Sequence, residues 1–513
     1  MIPPAIQMTG IDKRFGAVHA NRAVDLTVAK GTVHGLIGEN GAGKSTLMSI
    51  LYGFYAADAG SIAINGKPSL IRTPADAIHS GIGMVHQHFM LVETFTVVEN
   101  VMLGAEGGVF TARGAAAVRS KLLKLSQAYG MDVNPDAVVS DLAVGELQRV
   151  EILKALVKGA DILILDEPTA VLTPTEVDNL FVLLRRLAGE GKTVIIVTHK
   201  LKEIMAVTDR VSVMRRGEMV GTVETAGTSP ADLAELMVGR RVVLTVEKSA
   251  ARPGDVMLAV EDLCVRDVRG TLRLDHVSLT VKAGEIVGIA GVSGNGQSEL
   301  LEAIAGIRKP SSGRVSLKGE ALDCGGKDDP RTLRAKGLRH VPEDRHRMGL
   351  VKPFAAAESA MLGCSDEERF GRGLFLDRDL VMADCAAKMA AFDVRPADPG
   401  LRTALFSGGN QQKLVLAREI ERDPQLLLIG QPTRGVDIGA IEFIHKRIIA
   451  LRDAGKAILL VSTELDEVLA LSDRVLVMCG GKITGERLPD QTSEQDMGLL
   501  MAGVTSEQPK EAA

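Results

Sequence analysis

The chain has 513 residues, 46% of them hydrophobic and 24% charged, with a formal net charge of −5. That length predicts two or more domains with sizeable cores, and the acidic balance argues against a sequence-independent nucleic-acid binder. Cys264, Cys324, Cys364, Cys385 and Cys479 form no CxxC pair, so neither a zinc site nor a disulfide framework is expected and the thiols read as reduced and buried. No apolar run approaches the ~18 residues of a membrane span. The opening MIPPAIQMTG has no basic region followed by an apolar core, so it does not read as a signal peptide.

In chain order, residues 6–35 read as short alternating strands. Phe15 lies there in KRFGAV, as an aromatic that stacks on an adenine face or as a core or turn aromatic. The apolar GTVHGLI leads into Gly38, Glu39, Asn40, Gly41, Ala42, Gly43, Lys44, Ser45 and Thr46, and the helix-like LMSILYG follows. Strand, glycine loop and helix N-terminus in that order are the setting of a phosphate-binding loop. Glycines without Cβ let the backbone turn its N–H groups onto phosphate oxygens, and the helix dipole adds to them. Lys44 supplies a cation for the β- and γ-phosphates of ATP, and Ser45 a hydroxyl for Mg²⁺.

GSIAING predicts a strand and turn, and GIGMVHQHF a strand ending at Gln87. His86 and His88 flank Gln87, but with no third ligand evident they are not expected to hold a metal. Residues 100–140 read as helical. LAVGELQRVEILKALV is a loop and a helix, and ADILILDEPT a buried strand with Asp166 and Glu167 at its C-terminal end. Beside a phosphate loop, that pair supplies one carboxylate for Mg²⁺ and one for the attacking water. KTVIIVTHK is a further buried strand, ending at His199, and DRVSVMRRGEMVG a hairpin.

The pattern then restarts. Gly38 and Gly291 stand 253 residues apart, Gln87 and Glu343 256, and Gly145 and Gly409, Asp166 and Gly430, and Leu236 and Leu500 each 264. A constant offset over so long a stretch marks a duplication. The boundaries read as a first domain over 1–245, a linker over 246–256, a second domain over 257–504 and a disordered tail over 505–513.

At LAVGE and FSGGNQQK the chain resembles the ATP-binding subunit of an ABC transporter, of the tandem type that serves bacterial simple-sugar and nucleoside importers. HQHFMLVETFTVVENV and GAIEFIHKRII look closest to the nucleoside branch. The resemblance implies an α/β fold of two tandem P-loop domains, each with a RecA-like core, an antiparallel β subdomain and a helical subdomain. It implies that the two domains sandwich ATP head to tail, so that each site joins one domain's phosphate loop to the other's signature. Lys44 then holds phosphates, Ser45, Asp166 and Gln87 serve Mg²⁺, Glu167 polarises water, His199 contacts the γ-phosphate and Phe15 stacks on adenine. Ser407, Gly408, Gly409, Asn410, Gln411 and Asp437 close that site. The implied partners are two integral membrane permease subunits, with a periplasmic or lipid-anchored solute-binding protein acting through them, and no nucleic acid. The implied location is peripheral, on the cytoplasmic face of the inner membrane. The alternative is a soluble tandem factor acting on ribosomes or DNA.

The two halves are unequal. Gln297 replaces Lys44, Glu299 replaces Thr46, Gly430 and Gln431 replace Asp166 and Glu167, Thr463 replaces His199, and Val268 replaces Phe15. The signatures show the opposite bias, with Ala143 and Val144 in the first half against Ser407 and Gly408 in the second, and Thr173 against Asp437. Paired head to tail, these losses sort into one complete site and one impaired on both sides.

Overall fold

The computed structural model describes residues 3–16, 18–86, 89–103, 111–169, 172–241, 246, 248–365, 367–372, 375–436 and 438–504. The chain divides into two units, residues 1–242 and 243–513.

The first unit carries strands β1 (Ile6–Phe15), β2 (Val18–Val28), β3 (Val33–Gly38), β4 (Ala59–Ile64), β5 (Lys67–Pro68), β6 (Ile82–Val85), β7 (Ile162–Asp166), β8 (Thr193–Val197), β9 (Arg210–Arg215) and β10 (Glu218–Glu224). They form an antiparallel sheet in the order β2-β1-β4-β5 and a six-stranded sheet in the order β10-β9-β3-β8-β7-β6. In the larger sheet β9, β3, β8, β7 and β6 are parallel, and β10 closes the edge antiparallel. Every residue of β3, β6 and β8 is buried, as covered parallel strands require. The helices Val97–Met102, Thr111–Tyr129 and Val144–Val157 share a core with the sheet through Val97, Val101, Leu122, Val150 and Leu153.

The short strands expected over residues 6–35 are in fact long, ten residues in β1 and eleven in β2. Their pairing is shifted between Met8 and Ile11, and Gly10 and Ala23 take positive φ of 60° and 45°. Such bulges break the inside–outside alternation without ending the strand, so the pattern reads as several pieces.

The second unit repeats the plan with β11 (Val256–Arg266), β12 (Leu272–Lys282), β13 (Ile286–Ala290), β14 (Ser312–Leu317), β15 (Glu320–Leu322), β16 (Leu338–Val341), β17 (Gly371–Arg372), β18 (Phe375–Leu376), β19 (Leu426–Gly430), β20 (Ala457–Val461), β21 (Arg474–Cys479) and β22 (Lys482–Arg487). Its sheets run β12-β11-β14-β15 and β16-β19-β20-β13-β21-β22, with β17–β18 a small hairpin. Read from opposite ends, the two large sheets have the same strand order. Part of the expected linker is tied to this unit, where Arg452 donates to the Ser249 carbonyl at 2.9 Å and Lys248 to that of Ser472. The tail over 505–513 lies outside the described residues. All five thiols are free, and four are buried, with Cys479 half-buried. Among the described residues no helix is long and apolar enough to cross a membrane.

Candidate functional site

Three parallel strands of the first unit end together. Leu36 of β3 and Asp166 of β7 both pair with Val197 of β8. That register sets Gly38, Asp166 and His199 along one C-terminal sheet edge, the ligand side of an open α/β sheet. From Gly38 the chain curls through Gly41 (φ 81°) and Gly43 (φ 99°). A Cβ on Gly43 would stand 2.3 Å from the Ala20 carbonyl oxygen, so the loop passes there only as glycine. Gly43 opens the helix Lys44–Leu51 with no side chain capping it, which leaves a positive helix end facing the loop.

Lys44 lies back over this loop. Its Nζ donates to the carbonyl oxygens of Gly38 at 2.7 Å and Glu39 at 3.0 Å, and the residue is only 6% exposed. Burial pushes its ammonium below the ordinary range, and the carboxylates of Glu167, Asp166 and Glu39 pull it partly back. Burial, helped by the charge of Glu167, holds the Asp166 carboxyl above its usual range, against Lys44 and a hydrogen bond from Ser45. Glu167 goes the other way. Burial works to raise it, but the His199 hydrogen bond and the charges of His199, Lys44 and Lys200 outweigh burial and hold it low. His199 Nδ1 donates to Glu167 Oε1 at 2.8 Å. Glu167 also sits at φ 47°, with its N–H bonded to the Val197 carbonyl at 2.8 Å. A non-glycine residue held there stores strain of the kind found at functional sites.

The remaining expected residues fall as follows. Phe15, at the end of β1, is 42% exposed and meets Tyr55 edge-on with ring centroids 5.1 Å apart. Gln87, His88 and Asp437 lie outside the described residues. Ala143 precedes the helix Val144–Val157 with no side-chain capping bond, and Glu146 Oε2 accepts from its N–H at 2.9 Å. Thr173 is taken up in capping the helix Pro174–Gly189, trading hydrogen bonds with Glu176.

In the second unit the loop keeps its shape, with Gly294 at φ 91° and Gly296 at φ 102°. Its chemistry differs. Gln297 is buried, and its amide donates to the Val292 carbonyl at 3.1 Å, which replaces one of the two Lys44 bonds and none of the charge. Ser298 donates to Glu343, and the Gln431 amide donates to Glu343 at 3.4 Å. Gln431 Oε1 accepts from the Thr463 hydroxyl at 3.1 Å. Gln431 repeats the backbone of Glu167, at φ 49°. Ser298, Glu343, Gln431 and Thr463 are thus joined in one chain of hydrogen bonds.

The second unit's signature is built differently from the first unit's. Ser407 caps the helix Gly408–Ile420, accepting from the Asn410 N–H at 3.4 Å and its side-chain amide at 2.9 Å. Ser407 is exposed and Gly409 buried. Gln411 is turned inward, with Nε2 donating to the Thr403 carbonyl at 3.0 Å and Oε1 accepting from His346 at 2.8 Å. Its side chain supports the loop from within. Sequence reasoning missed Glu146, whose carboxylate covers a helix start that carries Asn410 in the second unit. A carboxylate spaced three residues after the helix cap is the signal that would have found it.

Glycine loop, buried lysine, acidic strand end and glutamate–histidine pair on one sheet edge define a nucleotide-hydrolysing P-loop site. The ABC transporter family model matches residues 21–170 and 274–434. The chain is 49% identical, over 97% of its length and 98% of the relative's, to a nucleoside import ATP-binding protein of Lactococcus lactis subsp. cremoris (strain MG1363). It is 46% identical to a guanosine import ATP-binding protein of Bacillus subtilis (strain 168), over 98% of both chains. It is also 48% identical to a glucose import ATP-binding protein of Haloferax volcanii, over 98% of this chain and 96% of that one. The solved structure of an archaeal ribosome recycling factor, in complex with a ribosomal stalk protein, matches 96% of this chain and 92% of that one with TM-score 0.60. At 20% identity that likeness shows the fold alone. The chain belongs to the ABC transporter family and is an ATP-binding ATPase.

Proposed function

We propose that this chain is the ATPase of an import system for a nucleoside or simple sugar, with one competent and one degenerate composite ATP site. The observation that carries the reading is the unequal treatment of the two units. The first unit holds Lys44, Asp166, Glu167 and His199 at its sheet edge and commits Ala143, Glu146 and Thr173 to capping its own helices. The second unit leaves Ser407 exposed at the helix it caps and places Gln297, Gly430, Gln431 and Thr463 where the first has Lys44, Asp166, Glu167 and His199, with Ser298 and Gln431 bonded to Glu343 and Thr463 to Gln431.

In the competent site Lys44 sets positive charge against the phosphates. Glu167, kept ionised by His199, accepts the proton of the attacking water, and the same hydrogen bond fixes its direction. That bond uses Nδ1 of His199 and leaves Nε2 for the γ-phosphate. The pair of half-buried carboxylates and the Ser45 hydroxyl suit a hard cation. Ser45, Asp166 and Gln87 would hold Mg²⁺, which supplies charge against the β- and γ-oxygens when bound. Ser407, Gly408, Gly409, Asn410 and Asp437 of the second unit complete the site around the γ-phosphate. ATP binding closes the sandwich, and hydrolysis releases it.

The partners we propose are two integral membrane permease subunits and a solute-binding protein acting through them. The chain then sits peripherally on the cytoplasmic face of the inner membrane. The solute rests on the likeness to nucleoside and sugar importers, because an ATPase that never touches the solute carries no pocket for it. Capture of a Glu167→Gln chain with ATP from detergent-solubilised membranes tests this reading. Two polytopic subunits are expected to co-purify; ribosomal or DNA-repair proteins in their place would contradict it.

A further inference from the structure

In the second unit, the residues after Glu343 do something their counterparts in the first unit cannot. Asp344 Oδ1 accepts from the N–H groups of His346 at 2.9 Å and Arg347 at 3.2 Å, opening a wide π-helical turn over Arg345–Gly349. The Leu350 N–H returns to the Arg345 carbonyl at 2.8 Å. Turns of this kind are uncommon and often mark functional positions. Two side chains leave it toward one place. Arg345 Nη1 donates to the Arg434 carbonyl at 2.7 Å, on the loop after Gln431. Its guanidinium also fills the space that glycine leaves at the signature, since a Cβ on Gly408 would stand 2.7 Å from Nη2. His346 Nε2 donates to Gln411 Oε1 at 2.8 Å, and Gln411 passes the restraint to the Thr403 carbonyl at 3.0 Å.

The degenerate pocket joins the same network. Glu343 binds Ser298 and Gln431 and lies two residues before Arg345. In the first unit, the offset that relates Gln87 to Glu343 puts Phe89 and Met90 at these places. Neither side chain can make such bonds, and the Met90 backbone is tied instead to Glu151 and Lys154. The bridging pair thus occurs in the unit whose signature is intact.

We propose that Arg345 and His346 are positioning residues that hold the signature turn Ser407–Gln411 and the loop after Gln431 in the geometry that closes the competent site. They give the degenerate pocket a path to ATP hydrolysis that does not require hydrolysis of its own. This rests on the reading of Ser407 as part of that competent site.

The test measures kcat, KM, ATP dissociation constant and Tm of the full chain for His346→Ala, His346→Gln, Arg345→Ala, Arg345→Lys and Ser407→Ala. Both alanine variants are expected to lower kcat about tenfold, within what misplacing a reacting group costs, with ATP affinity and Tm unchanged. His346→Gln and Arg345→Lys keep a donor and are expected to regain most of the rate, and they keep the test open if an alanine loosens the turn. Parental kcat in both alanine variants, or an equal loss in the donor-keeping ones, would overturn the proposal. Ser407→Ala separates the two readings. If it lowers kcat while the other variants do not, the positioning role alone fails; if it too is silent, the composite site fails and the positioning role with it.

Discussion

Two phosphate loops of one shape carry different side chains. Both turn through glycines in the left-handed region, and both open an eight-residue helix without a capping side chain. In the first, Lys44 lies on the loop carbonyls with three carboxylates acting on it. In the second, Gln297 takes one equivalent bond, and Glu343 is spent on Ser298 and Gln431. The strained turn is also kept, at Glu167 in one unit and Gln431 in the other. The backbone of the loop is therefore kept where its side chains have been replaced. The second unit's internal hydrogen bonds satisfy the amide of Gln431, which is buried and would cost free energy if left unpaired.

This comparison can be broken most forcefully at the base. Glu167→Gln should lower the ATPase rate of the full chain by about 10²–10⁴-fold, while Gln431→Glu alone should leave it unchanged, both read as steady-state phosphate release. Recovery of hydrolysis in the combined variant would mean that the second loop retains its chemistry. Next comes the signature. Ser407→Ala removes the hydroxyl proposed to bond the γ-phosphate; a hydrogen bond to a charged group is worth about 1.5–3 kcal/mol, so kcat should fall roughly 10- to 150-fold. Ala143→Ser should change little, because Glu146 still covers that helix start.

The glutamate–histidine pair gives a prediction in pH. His199 lowers the Glu167 carboxyl and burial raises it. The native base therefore stays ionised down to pH values below the ordinary glutamate range, and the rate is lost only as pH falls through that low value. In His199→Ala burial acts unopposed by the histidine, so the acid limb of the kcat profile should move to higher pH. An unmoved limb would detach His199 from the base. The smallest effect is expected at Phe15. Phe15→Ala should raise KM for ATP roughly 2- to 10-fold with kcat unchanged, in keeping with an aromatic contact of about 0.5–1.5 kcal/mol. Val268→Ala, at a fully exposed counterpart, should do nothing.

Much of this was legible in the sequence because the informative features are local. The strands β3, β7 and β8 read as apolar runs, and the residues within the glycine loop, like Asp166 and Glu167, are immediate neighbours in the chain. The duplication was legible because offsets survive where identities do not. The bulges in β1 and β2 were not, since a shift in register leaves no mark on composition. The His346–Gln411 bond was not legible either, as it joins residues 65 apart through a turn that no propensity announces. The cap at Thr173 does carry a local mark, Pro174 after it and Glu176 three residues on, although a threonine at the counterpart of Asp437 looks simply like a loss. The Ser298–Glu343 bond was not legible, as it joins residues 45 apart.

The central claim is that a single site hydrolyses ATP. It is tested most directly by rapid-mixing measurement of the phosphate burst from the full chain saturated with ATP. The account predicts one phosphate per chain in the first closure, abolished by Glu167→Gln. A burst of two per chain, or one that persists in Glu167→Gln, would contradict it.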